Sequence, residues 1–173
     1  MPNARASHHE IARSALYTPE QRARRDATRW TLVQGVLAPL QFLVFAISLA
    51  LVLRYLATEQ GYSLATASII VKTALLYLIM ITGAIWEKVV FGQYLFAPAF
   101  FWEDVVSMAV MALHTAYLAM LVFGLGSAEQ QMFIALAAYG VYVVNAVQFV
   151  WKLRQARLSA AEPARPVAPG APA

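Results

Sequence analysis

Four stretches of this chain hold no charged side chain for most of a membrane's thickness. Residues 30–53, 105–128 and 130–151 contain no Asp, Glu, Lys or Arg, and residues 73–86 contain none either. A helix rises 1.5 Å per residue, so about 20 apolar residues cross the hydrocarbon core of a bilayer. Three of the stretches reach that length. The fourth reaches it when extended back to Ala67, with Lys72 near its edge or turned into a bundle. Only 13% of the residues are charged and 61% are hydrophobic, against roughly 25% charged in a soluble domain. The expected fold is all-α: a polytopic membrane protein with a four-transmembrane-helix bundle. Its spans are expected near residues 30–55, 67–87, 105–123 and 131–150, within a membrane domain covering 30–152.

The flanks set an orientation. Six arginines precede the first span (Arg5, Arg13, Arg22, Arg24, Arg25, Arg29), and Lys152, Arg154, Arg157 and Arg165 follow the last. The connection at 124–130 has no basic residue. The positive-inside rule then places both termini, and the 86–104 connection, in the cytoplasm. The formal charge of +4 is a topology signal and an attraction to anionic lipid, and nucleic acid is not an expected partner. No cleavable signal peptide is expected, because residues 1–29 lack an apolar core. The absence of cysteine excludes disulfides, thiolate metal sites and cysteine nucleophiles.

Within residues 1–29, Thr18-Pro19-Glu20-Gln21 reads as a helix start: a capping threonine, proline at the first helical position and Gln21 closing a capping box. A juxtamembrane helix follows from it. The Ala/Pro-rich stretch 153–173 cannot build a core and is expected to be a disordered cytoplasmic tail.

The segment from Trp86 to Asp104 departs most from an ordinary cytoplasmic turn. It carries three of the nine acidic residues, Glu87, Glu103 and Asp104, together with Lys88. Between them lie 14 uncharged residues, six of them aromatic: Phe91, Tyr94, Phe96, Phe100, Phe101 and Trp102. A carboxylate beside hydrocarbon is costly unless paired, hydrated or used. One reading is structural, with Glu103 and Asp104 complementing the dipole of the helix they start and Lys88 pairing with Asp104 across the hairpin. The other is functional: an aromatic wall beside three carboxylates suits a flat, hydrophobic ligand with one reactive position.

Polar residues inside the spans add to this. Gln34, Gln41 and Ser48 share one face of the first span, and Tyr142, Asn145 and Gln148 lie in the fourth. They suit interhelical hydrogen bonds or a polar pocket. In the third span Glu103, Ser107, Val110, His114 and Tyr117 fall within about 40° of one direction. His114 lies about 16 Å deeper than Glu103. It is either a hydrogen-bonded interior residue, a proton carrier or a metal ligand.

The 86–104 segment resembles the 3-vinyl (bacterio)chlorophyllide hydratase family of bacteriochlorophyll biosynthesis. So do the runs Leu32-Val33-Gln34-Gly35-Val36-Leu37-Ala38-Pro39-Leu40-Gln41-Phe42 and Leu113-His114-Thr115-Ala116-Tyr117-Leu118. The likeness extends over residues 16–158. It implies addition of water to the 3-vinyl group of a chlorophyllide or bacteriochlorophyllide, giving a 3-(1-hydroxyethyl) product. It also implies residence in a bacterial inner membrane, the intracytoplasmic photosynthetic membrane.

Such a reaction needs a proton on the terminal vinyl carbon, a ring-stabilised cation beside it, and a base for the attacking water. A carboxylic acid near hydrocarbon keeps its proton to higher pH than one in water. Glu87 and Glu103 are the first candidates for acid and base, with Asp104 next. Lys88 would hold a carboxylate ionised or bind a substrate propionate. Phe91, Tyr94, Phe101 and Trp102 would stack on the macrocycle, and His114 would relay a proton or bind the substrate's magnesium axially. No cofactor of the protein's own is implied, since the magnesium belongs to the substrate. Other pigment-biosynthesis enzymes and a second copy of the chain are possible partners, beside membrane lipid. The rival readings are a non-catalytic pigment-binding or assembly protein and a small ion-coupled carrier. The carrier lacks the broken helices and repeats common in transporters.

Overall fold

The computed structural model describes residues 16–161, with side chains to Leu158. Among the described residues there are five helices and no strand: α1 (Pro19–Ala27), α2 (Arg29–Thr58), α3 (Tyr62–Phe91), α4 (Phe101–Phe123) and α5 (Ala128–Ala161). The four longer ones are long and apolar enough to cross a membrane.

Helix α1 begins as its sequence dictates. The Thr18 Oγ1 accepts the Gln21 N–H at 3.2 Å, and the Gln21 side chain accepts the Thr18 N–H at 2.9 Å, with Pro19 at the first position. Thr28 ends α1 and caps α2 through its hydroxyl. Helix α3 stops at Gly92, whose φ of 91° only a residue without a Cβ adopts cheaply.

The helices overrun the expected spans. Helices α2 and α3 have 30 residues each, about 45 Å, so their ends stand clear of a hydrocarbon core of about 30 Å. The second expected span ends at Glu87 and the third begins after Asp104, yet the turns carrying Lys88, Glu103 and Asp104 continue the helices unbroken. At the other end of the chain, α5 runs on through Lys152 to Ala161. The segment from residue 153 is therefore helical as far as 161, where a disordered tail was expected. Its Arg, Leu and Ala residues propagate a helix already nucleated by the span. The remainder of that tail, 162–173, and residues 1–15 lie outside the described residues.

Two antiparallel hairpins, α2–α3 and α4–α5, pack against each other. Lipid is as apolar as leucine, so apolar contact alone does not drive such helices together. Hydrogen bonds supply part of the specificity. Gln34 Nε2 donates to Thr82 Oγ1 at 2.8 Å, and Tyr62 OH donates to Gln131 Oε1 at 2.6 Å. The Ser48 hydroxyl meets Ser68 at 2.7 Å and Tyr139 at 2.6 Å. Each is worth about 0.6 kcal/mol by analogy with other membrane bundles. Phe45, Val52, Ile69, Leu76, Val110 and Tyr117 fill the space between them. Leu43, Ile47, Val144 and Val147 stay exposed on the outside, where lipid would lie.

The alternation of direction gathers five element ends at one pole: α1, the start of α2, the end of α3, the start of α4 and the last turns of α5. Trp86 Nε1 donates to Thr31 Oγ1 at 2.9 Å, and Thr31 Oγ1 donates to the Arg25 carbonyl at 2.6 Å. These bonds tie α1, α2 and α3 together beneath the 92–100 connection.

Candidate active site

Glu103 and Asp104 open α4, where negative charge suits the helix dipole. Successive residues on a helix point about 100° apart, so the two carboxylates diverge. Asp104 turns towards α3 and the loop, and Glu103 towards α5. Both are buried, as is Glu87 in the last turns of α3.

The carboxyl groups of Glu87 and Asp104 are brought together at the same turn of the loop, close enough to interact. Two buried carboxyl groups this close repel when both are ionised, which favours a proton on one of them. The loop completes their shell. Phe96 N–H donates to Asp104 Oδ2 at 2.7 Å, and Ala97 N–H donates to Glu87 Oε2 at 3.2 Å. Phe96 has φ +60°, the left-handed region that a phenylalanine rarely occupies. That conformation turns two consecutive amides to one side, as in an anion-binding nest. The unusual backbone and the carboxyl pair thus account for each other.

Glu103 makes a different environment. Its Oε2 accepts from Lys152 Nζ, which also donates to the Ala99 carbonyl and lies 5.1 Å from the Phe100 ring centre. Asn145 Nδ2 donates to the Glu103 carbonyl at 2.9 Å and to Ser107 Oγ at 3.1 Å, so α5 grips both the backbone and the side chain. A groove of about 440 Å³ opens beside this pair, lined by Leu16, Glu103, Gln148, Trp151, Lys152 and Ala156.

The aromatic connection divides in two. Phe100 packs among Tyr17, Trp86, Phe91 and Phe149, with ring centres 5.7–6.4 Å apart. This cluster locks α3, the loop, α5 and the segment leading into α1 together. Burial pushes the Tyr17 hydroxyl's pKa up against the opposing pull of Arg25, so that ring stays neutral. Phe91 belongs to this packing, stacked on Tyr17 at 5.8 Å, and not to an exposed ligand wall. Tyr94, Phe96, Phe101 and Trp102 are exposed on the other side.

The geometry sets two of the expected site residues apart from the carboxylates. Among the described residues Lys88 pairs with no carboxylate. It is exposed, donates to the Gly92 carbonyl at 2.8 Å and lies 5.4 Å from the Tyr94 ring. Following Glu87 by one residue, it points away from the acidic cluster and caps its own helix. His114 is likewise apart from the carboxylates. It is fully buried in mid-bundle, with Nδ1 2.8 Å from the Val110 carbonyl oxygen. There it lies near Lys72, which is also fully buried with its ammonium 3.9 Å from the Tyr142 ring centre. On α4 His114 stands three turns from Glu103, about 16 Å along the axis. The predicted α4 face itself is seen: Glu103, Ser107, Val110, His114 and Tyr117 are all buried.

Lys152 was read in the sequence only as a topology charge, and the amides of Phe96 and Ala97 carry no sequence mark. A signal for Lys152 existed. Asn145, Gln148 and Lys152 follow one another at helical spacing of three and four residues, on one face of α5.

A profile of the 2-vinyl bacteriochlorophyllide hydratases matches residues 17–155. The chain belongs to this family. The match covers the first four helices, the fifth as far as residue 155, and every residue of the acidic pole. Among relatives, the chain is 68% identical over 161 residues to the 2-vinyl bacteriochlorophyllide hydratase of Rhodobacter capsulatus, covering 93% of this chain and 92% of that protein. It is 76% identical over 143 residues to the Cereibacter sphaeroides protein of the same name, covering 83% and 89%. No solved structure matches the chain. The hydratases of this family are thus represented here by a four-span bundle with three carboxylates at one pole.

Proposed function

We propose that this member of the hydratase family adds water across the ring vinyl group of a bacteriochlorophyllide, with the Glu87–Asp104 pair as acid and Glu103 as base. One observation carries the division of roles. Glu87 and Asp104 are two buried carboxyls held together on adjacent loop amides, which favours a proton on one of them, whereas Glu103 is ion-paired with Lys152 and faces the groove.

The pair gives its proton to the terminal CH2, which becomes CH3. The π electrons of the vinyl group form the new C–H bond and leave a cation on the carbon attached to the ring, where the macrocycle spreads the charge. The ionised Glu103 stabilises that cation and takes a proton from the water whose oxygen attacks it. The product is a 1-hydroxyethyl group, and one water is consumed. Between turnovers the carboxyl groups exchange protons with solvent. Acid–base groups placed this way contribute about 10²–10⁴-fold each. The exposed Tyr94, Phe101 and Trp102 offer faces for the macrocycle. No cofactor of the protein's own enters the scheme, and the magnesium travels with the substrate.

The same reading places both termini and the acidic pole in the cytoplasm, on the strength of the arginine-rich flanks. It places the protein in the photosynthetic membrane beside other enzymes of pigment synthesis. Reporter fusions at each terminus test the orientation, which fails if either reporter is active only outside the cytoplasm.

The activity is tested with purified protein and vinyl bacteriochlorophyllide in 18O-labelled water, without nucleotide or reductant. The expected product is heavier by one labelled water, and in D2O it carries one deuterium on the new methyl group. Pigment that binds and never gains mass would leave only the non-catalytic pigment-binding reading.

A further inference from the structure

A second groove adjoins the first. It holds about 280 Å³ and is lined by Phe42, Tyr142, Val147, Val150, Trp151 and Arg154. Val147 and Trp151 border both grooves, so the two form one surface across α5. Val147, Val150 and Trp151 are strongly exposed within a candidate span, which opens this surface sideways to lipid. Its apolar part has one charged member, Arg154, at the end nearest the helix terminus. The ion pairs among the described residues are Arg25–Asp26 and Lys152–Glu103. Arg154 is in neither. It stands on the same face of α5 as Val147 and Trp151, about 9 Å along the axis from Gln148 in the polar groove.

A lone guanidinium at the rim of a lipid-facing apolar slot selects an amphipathic anion, a flat hydrophobic body bearing a carboxylate. A bacteriochlorophyllide, with its side-chain acid unesterified, has that form. We infer that Arg154 binds the substrate's free carboxylate, fixing which edge of the macrocycle faces Glu103. It admits the acid in preference to its ester. This rests on the reading of the acidic pole as a hydration site. Arg154 is the anchor here in place of Lys88, which serves its own helix end. The guanidinium forks two donors onto one carboxylate, which restrains rotation of the plate as well as holding it.

Binding is read from quenching of pigment fluorescence, which needs no turnover, for the free acid and its methyl ester. Wild type is compared with Arg154→Leu, Arg154→Lys and the charge-matched control Arg157→Leu. Arg154→Leu should weaken the acid roughly tenfold, the lower range for one charge-assisted contact, and leave the ester unchanged. Arg154→Lys should restore part of the loss, and Arg157→Leu should change neither ligand. The inference is overturned if Arg154→Leu leaves acid affinity intact. It is equally overturned if that variant weakens acid and ester alike, as a packing or lipid site would, or if Arg157→Leu matches it. A protein that binds as predicted and never hydrates would refute the hydratase reading and leave the Arg154 contact standing.

Discussion

Glu87 and Asp104 meet carboxyl to carboxyl across the ends of α3 and α4, and each also accepts one N–H from the consecutive residues Ala97 and Phe96. The loop is therefore part of the site. Its left-handed Phe96 is retained where relaxation would cost the pair an amide.

That backbone is open to measurement. A non-glycine residue in the left-handed region costs about 1–2 kcal/mol. Phe96→Gly should keep both amides in place, and relief of the left-handed backbone should offset the lost contact with the Phe101 ring, leaving unfolding in detergent close to that of wild type. Phe96→Val, branched at Cβ, should unfold earlier. The reverse order would separate the loop conformation from the carboxyl pair.

The two groups of aromatics should respond differently. Phe100 is 3% exposed at the centre of a five-ring cluster, and Trp102 is 68% exposed. Phe100→Ala should destabilise the protein by about 3–5 kcal/mol, as in other cores. Trp102→Ala should leave the melting point within the scatter of surface changes and weaken pigment binding. Equal thermal losses in both variants would contradict the division.

The Glu103–Lys152 pair is partly reached by solvent, with Lys152 25% exposed. Lys152→Met leaves a buried carboxylate without its partner and should cost about 2–3 kcal/mol, below the range for fully buried pairs. The double variant Lys152→Met with Glu103→Gln should regain most of that stability and none of the activity. A double variant as unstable as the single would show that Lys152 acts through packing alone.

His114 marks the boundary of what pattern could reveal. The sequence placed it on the same α4 face as Glu103, and the burial agrees. Periodicity gives direction around a helix but not what stands opposite. Here α3 and α5 bring Lys72 and Tyr139 to His114, while Lys152 and Asn145 reach Glu103. Those partners come from helices distant in sequence. The spans were legible because charge is excluded from long apolar runs. The Glu87–Asp104 contact was not, because it depends on how a 92–100 connection folds back, and its anchors are backbone amides. Lys88 misled for the complementary reason: a pairing with Asp104 across the hairpin was expected, but one residue beyond Glu87 its side chain points about 100° away and reaches the Gly92 carbonyl instead. Accordingly, His114→Ala should leave affinity for the magnesium pigment unchanged. A fall in that affinity would return His114 to the binding site.

The most direct test of the acid–base assignment is turnover and pigment binding measured side by side in Glu87→Gln, Asp104→Asn and Glu103→Gln. Each substitution preserves shape and removes a titratable group. The expected result is pigment binding near that of wild type with hydration slowed by about 10²–10⁴-fold in every variant. Hydration at the wild-type rate in Glu87→Gln or Glu103→Gln, with the pigment bound, would contradict the assignment.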